Sequence, residues 1–214
     1  TITFPRVKGI FRNAGYREQI ATLLALICTE SPREVMKLKD KMYYVAVAER
    51  CLPQGAPTSP ALSNIVSLHM DRRLQGLAES NGWRYTRYAD DLSLSFPENK
   101  NSPEVGYMLG AIRRIVEDEC FEVNTKKTWV SRKGGKQEIT GITVNGKAKP
   151  RVSRELKRKL RAITHNLKNG KELHEGETIH QIIGYASYVA MVEKELGKQF
   201  IKDLTPFLNK PEQK

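Results

Sequence analysis

Tyr85-Thr86-Arg87-Tyr88-Ala89-Asp90-Asp91-Leu92-Ser93-Leu94-Ser95 sets two adjacent carboxylates between two short runs of strand-like composition. Tyr85 and Tyr88 before them, and Leu92 and Leu94 after, supply aromatic and apolar bulk. The stretch therefore reads as a tight β-hairpin with Asp90 and Asp91 at its tip. Adjacent strand residues point to opposite faces, so the two carboxylates do not reach one spot equally. One is expected to be the main metal ligand and the other a secondary or indirect one. A carboxylate fed by sheet on both sides is a rigid mount for a hard divalent cation such as Mg²⁺. An Asp-Asp pair in a turn is often only solvated, so its surroundings decide the reading.

Upstream lies Leu52-Pro53-Gln54-Gly55-Ala56-Pro57-Thr58-Ser59-Pro60-Ala61-Leu62-Ser63-Asn64. Its prolines and glycine make a stiff, irregular loop, and Gly55, lacking a Cβ, lets backbone approach a ligand closely. Thr58 or Ser59 is expected to cap a helix with Pro60 early in it. Leu62, Val66, Met70 and Leu74 recur every four residues and should face a core, with the helix running to about Ser80. A helix amino terminus behind a glycine loop suits a phosphate or a template backbone. A plain Pro-rich turn before a core helix is the simpler alternative.

The Tyr-Ala-Asp-Asp stretch in these flanks resembles the central catalytic motif of reverse transcriptases. The Leu52–Asn64 segment is similar to the one that precedes the catalytic hairpin in that family. Asn124-x-x-Lys127-Thr128 resembles a further family motif, and Ile139-Thr140-Gly141 resembles the Val-Thr-Gly signature of retron enzymes, with Ile for Val. Group II intron relatives tend to carry Phe-Leu-Gly there. The resemblance covers most of the chain and is least specific at its C-terminal end.

The resemblance implies an α+β fold: a right-hand polymerase palm, its antiparallel sheet backed by helices, over residues 1–146, then a small basic α-helical thumb over 147–214. It implies RNA-directed DNA synthesis with two Mg²⁺ ions, Asp90 and Asp91 as metal-binding catalytic residues, and Tyr88 beside the primer end. Gln54 and Gly55 would lie near nucleotide and template. Lys127 would neutralise charge or donate a proton at the leaving pyrophosphate, the alternative being a solvated cation. The implied partners are a structured non-coding RNA serving as template and primer, nascent DNA and dNTPs, and an antiphage role would follow. In bacterial members an Asp and a Phe-Phe pair come shortly before a segment like Thr1–Val7, whereas the first acidic residue here is Glu18. The chain is therefore expected to begin just after the first catalytic aspartate, to lack the fingers, and to be inactive without an N-terminal part of the same enzyme. Two other readings stand beside this one. One is a catalytically inactive RNA-binding fragment or subunit, and the other a group II intron-type enzyme.

Composition agrees with a nucleic-acid partner. The 214 residues carry a net charge of +12, with 39% hydrophobic and 28% charged residues, enough for a real core and a polyanionic ligand. No apolar run approaches the roughly 18 residues of a transmembrane helix, and no secretory signal is visible. The expectation is a cytoplasmic protein without membrane contact. Cys28, Cys51 and Cys120 form no Cys-x-x-Cys pair and are read as buried thiols of a reducing compartment. The four histidines form no metal-ligand spacing.

Elsewhere the pattern predicts a short helix after Pro5 ending at Gly15, and a second over Arg17–Thr29. A turn or helix should start at Ser31-Pro32, and a strand run from Met42 to Ala48. A helix over Pro103–Glu119 should bury Tyr107, Leu109, Ile112, Ile115 and Val116. A hairpin turn is read at Lys133–Lys136, a strand over Ile139–Asn145 and a turn at Asn145-Gly146. Beyond these, an amphipathic helix over Ser153–Asn169 carries Arg154, Lys157, Arg158 and Arg161, with Arg151 just before it. These five are expected to track a nucleic-acid backbone. Helices over Thr178–Leu196 and Lys198–Leu208 follow, and Tyr185 and Tyr188 are read mainly as core residues.

Overall fold

The computed structural model describes residues 1–97, 104–132, 134–145, 149–174 and 176–208. The helix start at Asn101–Pro103, Lys133 of one expected turn, Gly146 of another, and Lys147 lie outside the described residues. The chain falls into two compact units, Thr1–Thr128 and Trp129–Lys214. Helices and small antiparallel sheets make it α+β, with three separate sheets among the described residues.

Unit 1 opens with α1 (Phe4–Asn13) and α2 (Glu18–Cys28), close to their predicted spans. Gly15, at φ +94°, makes the bend between them, a conformation that costs glycine little. Val7, Ala25 and Leu62 are buried together, with Phe4, Ile10 and Leu52 packed around them. Ser31-Pro32 does not start a helix. It leads into β1 (Arg33–Leu38), paired antiparallel with β2 (Lys41–Ala46). Lys39 and Asp40 both take positive φ, +46° and +61°. That is the pattern of a type I′ hairpin turn, hidden in the sequence because neither residue is Gly or Asn. Every residue of both strands is exposed.

Helix α3 (Ser59–Ser80) buries Leu62, Met70 and Leu74, as its period predicts, while Val66 of the same repeat is only half-buried. Its start differs from expectation, since neither Thr58 nor Ser59 caps it with a side chain. Ser59 Oγ instead donates to the Pro53 carbonyl at 2.7 Å, tying the helix back across the Pro-Gly loop. β3 (Arg84–Tyr88) and β4 (Asp91–Ser95) form the predicted hairpin. Its Tyr85, Leu92 and Leu94 pack on a cluster formed by α3 and α4 (Val105–Asp118). In α4 the buried line is Met108, Ile112 and Val116, while Tyr107 and Leu109 are exposed. Each lies one residue, about 100° of helix rotation, off that line. Cys28 and Cys51 are half-buried, Cys28 packing against the Val7 cluster, and Cys120 is exposed, so none is the fully buried thiol expected.

Unit 2 holds a three-stranded sheet in the order β5 (Glu138–Ile139), β6 (Ile142–Thr143), β7 (Arg151–Val152). Ile139–Asn145 is not one strand. Thr140 and Gly141, at φ +46° and +81°, form a turn inside it. Ser153 caps α5 (Arg154–Lys168), its Oγ accepting from the Leu156 amide at 3.3 Å. Thr178 and Gln181 form a capping box at the start of α6 (Ile179–Val192). The break before α7 (Lys194–Leu204) falls at Glu193, not near Gly197 as the expected helix ends imply. The Glu193 carboxylate, through Oε1, accepts from the Val152 amide at 2.9 Å and from Lys157 Nζ at 2.8 Å. Burial pushes this carboxyl up, but the Lys157 ammonium and the Val152 amide outweigh it and hold the group below its ordinary range. Leu160, Ile182, Val189, Phe200 and Leu204 anchor the core. Gly197 lies inside α7, pressed against Ala190 of α6. Tyr188 packs on the core. Tyr185 is exposed, with the Lys159 ammonium 5.5 Å from its ring centre.

Candidate active site

The β3–β4 hairpin is closed by a two-residue turn. Tyr88 pairs with Asp91 across the ladder, leaving Ala89 and Asp90 as the loop. Ala89 takes φ +51°, in the left-handed region that a side chain with Cβ disfavours by about 1–2 kcal/mol. Asp90 is thus the last turn residue and Asp91 the first residue of β4. Both are exposed, and neither carboxylate is tied up in a side-chain hydrogen bond or ion pair among the described residues. Tyr88, 73% exposed, stands beside them.

Arg87, only 10% exposed, anchors the turn from beneath. Its Nε and Nη2 donate to the two oxygens of Asp71 on α3, at 2.8 and 2.7 Å. Its Nη1 donates to Asn64 Oδ1 at 3.0 Å and to the Ala89 carbonyl at 2.9 Å. Tyr85 Oη adds a third bond to Asp71, at 2.8 Å. The Arg87 guanidinium, helped by the Tyr85 hydroxyl, holds the Asp71 carboxyl below the ordinary range against a smaller opposing effect of burial. Burial first, then the bond to Asp71, pushes the Tyr85 phenol up. The sequence pattern does not single out Asp71, gives Asn64 only as the end of the Leu52–Asn64 motif, and gives Arg87 only as a flank of the acids. Asn64 does end the quoted loop motif, and Arg87 stands one residue before Tyr88, which was the available signal.

The Arg87–Asn64 bond ties the hairpin to the end of the Leu52–Asn64 motif. Asn64 belongs to the second turn of α3, which begins directly behind Gln54 and Gly55. Gly55 holds φ +85°, with open space where a Cβ would stand. Gln54 is exposed beside it. Lys127 ends a short 3-10 turn, Thr125–Lys127, in the same unit, and is exposed without a carboxylate partner among the described residues. Its place is set by Asn124, whose carbonyl accepts from the Lys127 amide at 3.1 Å.

Mg²⁺ is commonly held by one or two carboxylates, with water and substrate phosphates completing its shell. Asp90 and Asp91, two adjacent uncommitted oxygen donors on a braced turn, suit that chemistry. No group of three or more His, Cys, Asp or Glu side chains is gathered as a metal site among the described residues.

In unit 2, Arg154, Arg158 and Arg161 follow at helical spacings of four and three, forming one exposed stripe along α5, with Arg151 just before it. No carboxylate among the described residues pairs with any of the four. Lys157 differs, since its ammonium is held by Glu193 and its side chain is only 12% exposed. No helix among the described residues is long and apolar enough to cross a membrane.

Comparison with known proteins places this geometry in a family. Residues 3–172 match the model for reverse transcriptase (RNA-dependent DNA polymerase). The chain is 44% identical over 216 residues to the retron Mx162 reverse transcriptase of Myxococcus xanthus, covering 96% of this chain and 44% of that protein. It is 41% identical over 206 residues to the retron Mx65 reverse transcriptase of the same organism, covering 96% and 47%. Against the retron Ec86 reverse transcriptase of Escherichia coli it is 30% identical over 201 residues, covering 94% and 55%. The chain thus spans about half the length of these curated relatives. With a Tyr-Ala-Asp-Asp turn braced on the helix behind its loop motif, and retron enzymes as its relatives, the chain belongs to the reverse transcriptase family and to its retron type.

Proposed function

We propose that this chain carries the palm and thumb portions of an RNA-directed DNA polymerase that copies a structured non-coding RNA. The braced carboxylate turn carries this reading. Asp90 and Asp91 would hold Mg²⁺, which when bound supplies Lewis-acid activation of a primer 3′-hydroxyl and charge neutralisation at a departing pyrophosphate. Tyr88, exposed at the turn, would lie against the primer end. Gln54 and the open backbone at Gly55 would border the incoming dNTP and the template base. Lys127 would offset negative charge on the leaving group. The unpaired stripe of Arg151, Arg154, Arg158 and Arg161 supports phosphate tracking by the helical thumb. Lys157, tied to Glu193, is better suited to holding α5 in place.

The test is a chimera in which this chain replaces the matching segment of the retron Mx162 reverse transcriptase. It should extend a DNA primer on an RNA template with Mg²⁺, and Asp90→Asn or Asp91→Asn should remove extension while RNA binding persists. RNA binding without extension by the unsubstituted chimera, itself folded, would favour a binding role instead.

A further inference from the structure

Arg87 has a use that the metal and substrate assignments leave open. Its guanidinium makes four hydrogen bonds from a side chain only 10% exposed, and three of them end on α3, at Asp71 and Asn64. The fourth holds the Ala89 carbonyl, at 2.9 Å. That carbonyl belongs to the peptide joining Ala89 to Asp90, and a peptide is planar. Fixing its oxygen therefore fixes the direction of the Asp90 amide and the starting point of the Asp90 side chain. The fixed peptide follows a residue at φ +51°, a conformation alanine would leave if nothing held it. A bidentate fork on a carboxylate is also the arrangement in which Arg is least replaceable by Lys, which can occupy only one point.

We propose that Arg87, seated on Asp71 and Asn64, is a positioning residue that holds the Ala89–Asp90 peptide in its left-handed turn and so aims the Asp90 carboxylate. The seat is α3, the helix that also carries the loop motif at its amino end, so one side chain sets the register between the two motifs. Arg87 itself reaches no reacting atom. The assignment of Asp90 to metal rests on the proposed function, whereas the backbone clamp does not.

The experiment is run on this chain. Arg87→Lys and Asp71→Asn are compared with Leu74→Ala, which weakens the buried cluster under the same hairpin and leaves the clamp in place. Two quantities are read: the three-bond HN–Hα coupling of Ala89 by NMR, and the affinity for Mn²⁺ by electron paramagnetic resonance. Both clamp variants should move the Ala89 coupling and weaken Mn²⁺ binding by about tenfold, as removal of a ligand's supporting partner does elsewhere. Leu74→Ala should lower the melting temperature and leave the coupling and the affinity at wild-type values. A wild-type Ala89 coupling in folded Arg87→Lys, or an equal shift in Leu74→Ala, overturns the proposal. Should the unsubstituted chain bind no Mn²⁺ while Arg87→Lys still moves the coupling, the clamp stands and the metal assignment falls.

Discussion

Replacing Gly197 with alanine should break the α6–α7 pair. A Cβ at this position would lie 2.1 Å from the Ala190 amide nitrogen, 2.2 Å from its Cα and 2.5 Å from its Cβ. Ordinary contact begins near 3.4 Å, so the helices must part by about 1.3 Å. Overpacking absorbed by movable side chains costs about 1–3 kcal/mol. Here the nearest atoms are backbone, and parting the helices also loosens Val189 and Phe200, which share the buried core. The cost should therefore reach about 3–5 kcal/mol, a large share of the 5–15 kcal/mol typical of a folded domain. Urea titration followed by circular dichroism reads it, with amide exchange in α6 and α7 showing where protection is lost. Gly184→Ala is the control. It sits exposed in mid-α6 with nothing within 4 Å of the new methyl, and should gain about 0.5–1 kcal/mol. A Gly197→Ala chain that unfolds within about 1 kcal/mol of wild type would refute the close-packing argument.

Further outcomes follow from the same structure. Arg154, Arg158 and Arg161 changed together to Gln should leave the melt unchanged and flatten the salt dependence of single-stranded RNA binding. The slope should fall by about 0.7 log units for each phosphate no longer neutralised, read by fluorescence anisotropy. Ser153→Ala removes the side-chain cap of α5 and should cost about 1 kcal/mol in denaturant titration. Glu193, with its folded pKa below the ordinary value near 4.3, stabilises unit 2 fully above that value, and the stabilisation is lost as pH falls through the lower folded one. Glu193→Gln should therefore lower stability at pH 7 by about 1–2 kcal/mol and flatten its fall on acidification, measured by melts between pH 2 and 7.

Helix spans and the β3–β4 hairpin were legible in the sequence because each rests on local pattern. The four-residue repeat from Leu62 to Leu74 sufficed for α3, and aromatic and apolar runs flanking Asp90 and Asp91 sufficed for β3–β4. Features made by tertiary contact were not legible. The helix break falls at Glu193, whose carboxylate reaches Val152 and Lys157, while Gly197, the residue that looks like a breaker, lies inside α7 where two helices touch. β1 escaped notice because its turn, Lys39-Asp40, adopts glycine-like dihedrals without glycine. In the site, the two acids could be picked out by their adjacency together with the flanking Tyr-Ala and Leu-Ser-Leu-Ser pattern. Their brace could not, because Asp71 and Arg87 are joined only once α3 lies under the hairpin. Lys157 looked like its arginine neighbours in sequence and is set apart by a partner 36 residues away.

The β1–β2 hairpin, exposed on every residue, carries a consequence for how this chain can diverge. A side chain in a close-packed core is constrained by all its neighbours, and a change there must be matched by others. Val35, Met36, Tyr43 and Tyr44 are about half-exposed or more, and none belongs to the cluster under the carboxylate turn, so substitutions among them should leave the support of Asp90 untouched. Lengthening the ribbon by a residue pair would extend the ladder without disturbing the Val7–Ala25–Leu62 cluster. The ribbon is thus a module whose sequence can vary separately from the carboxylate turn.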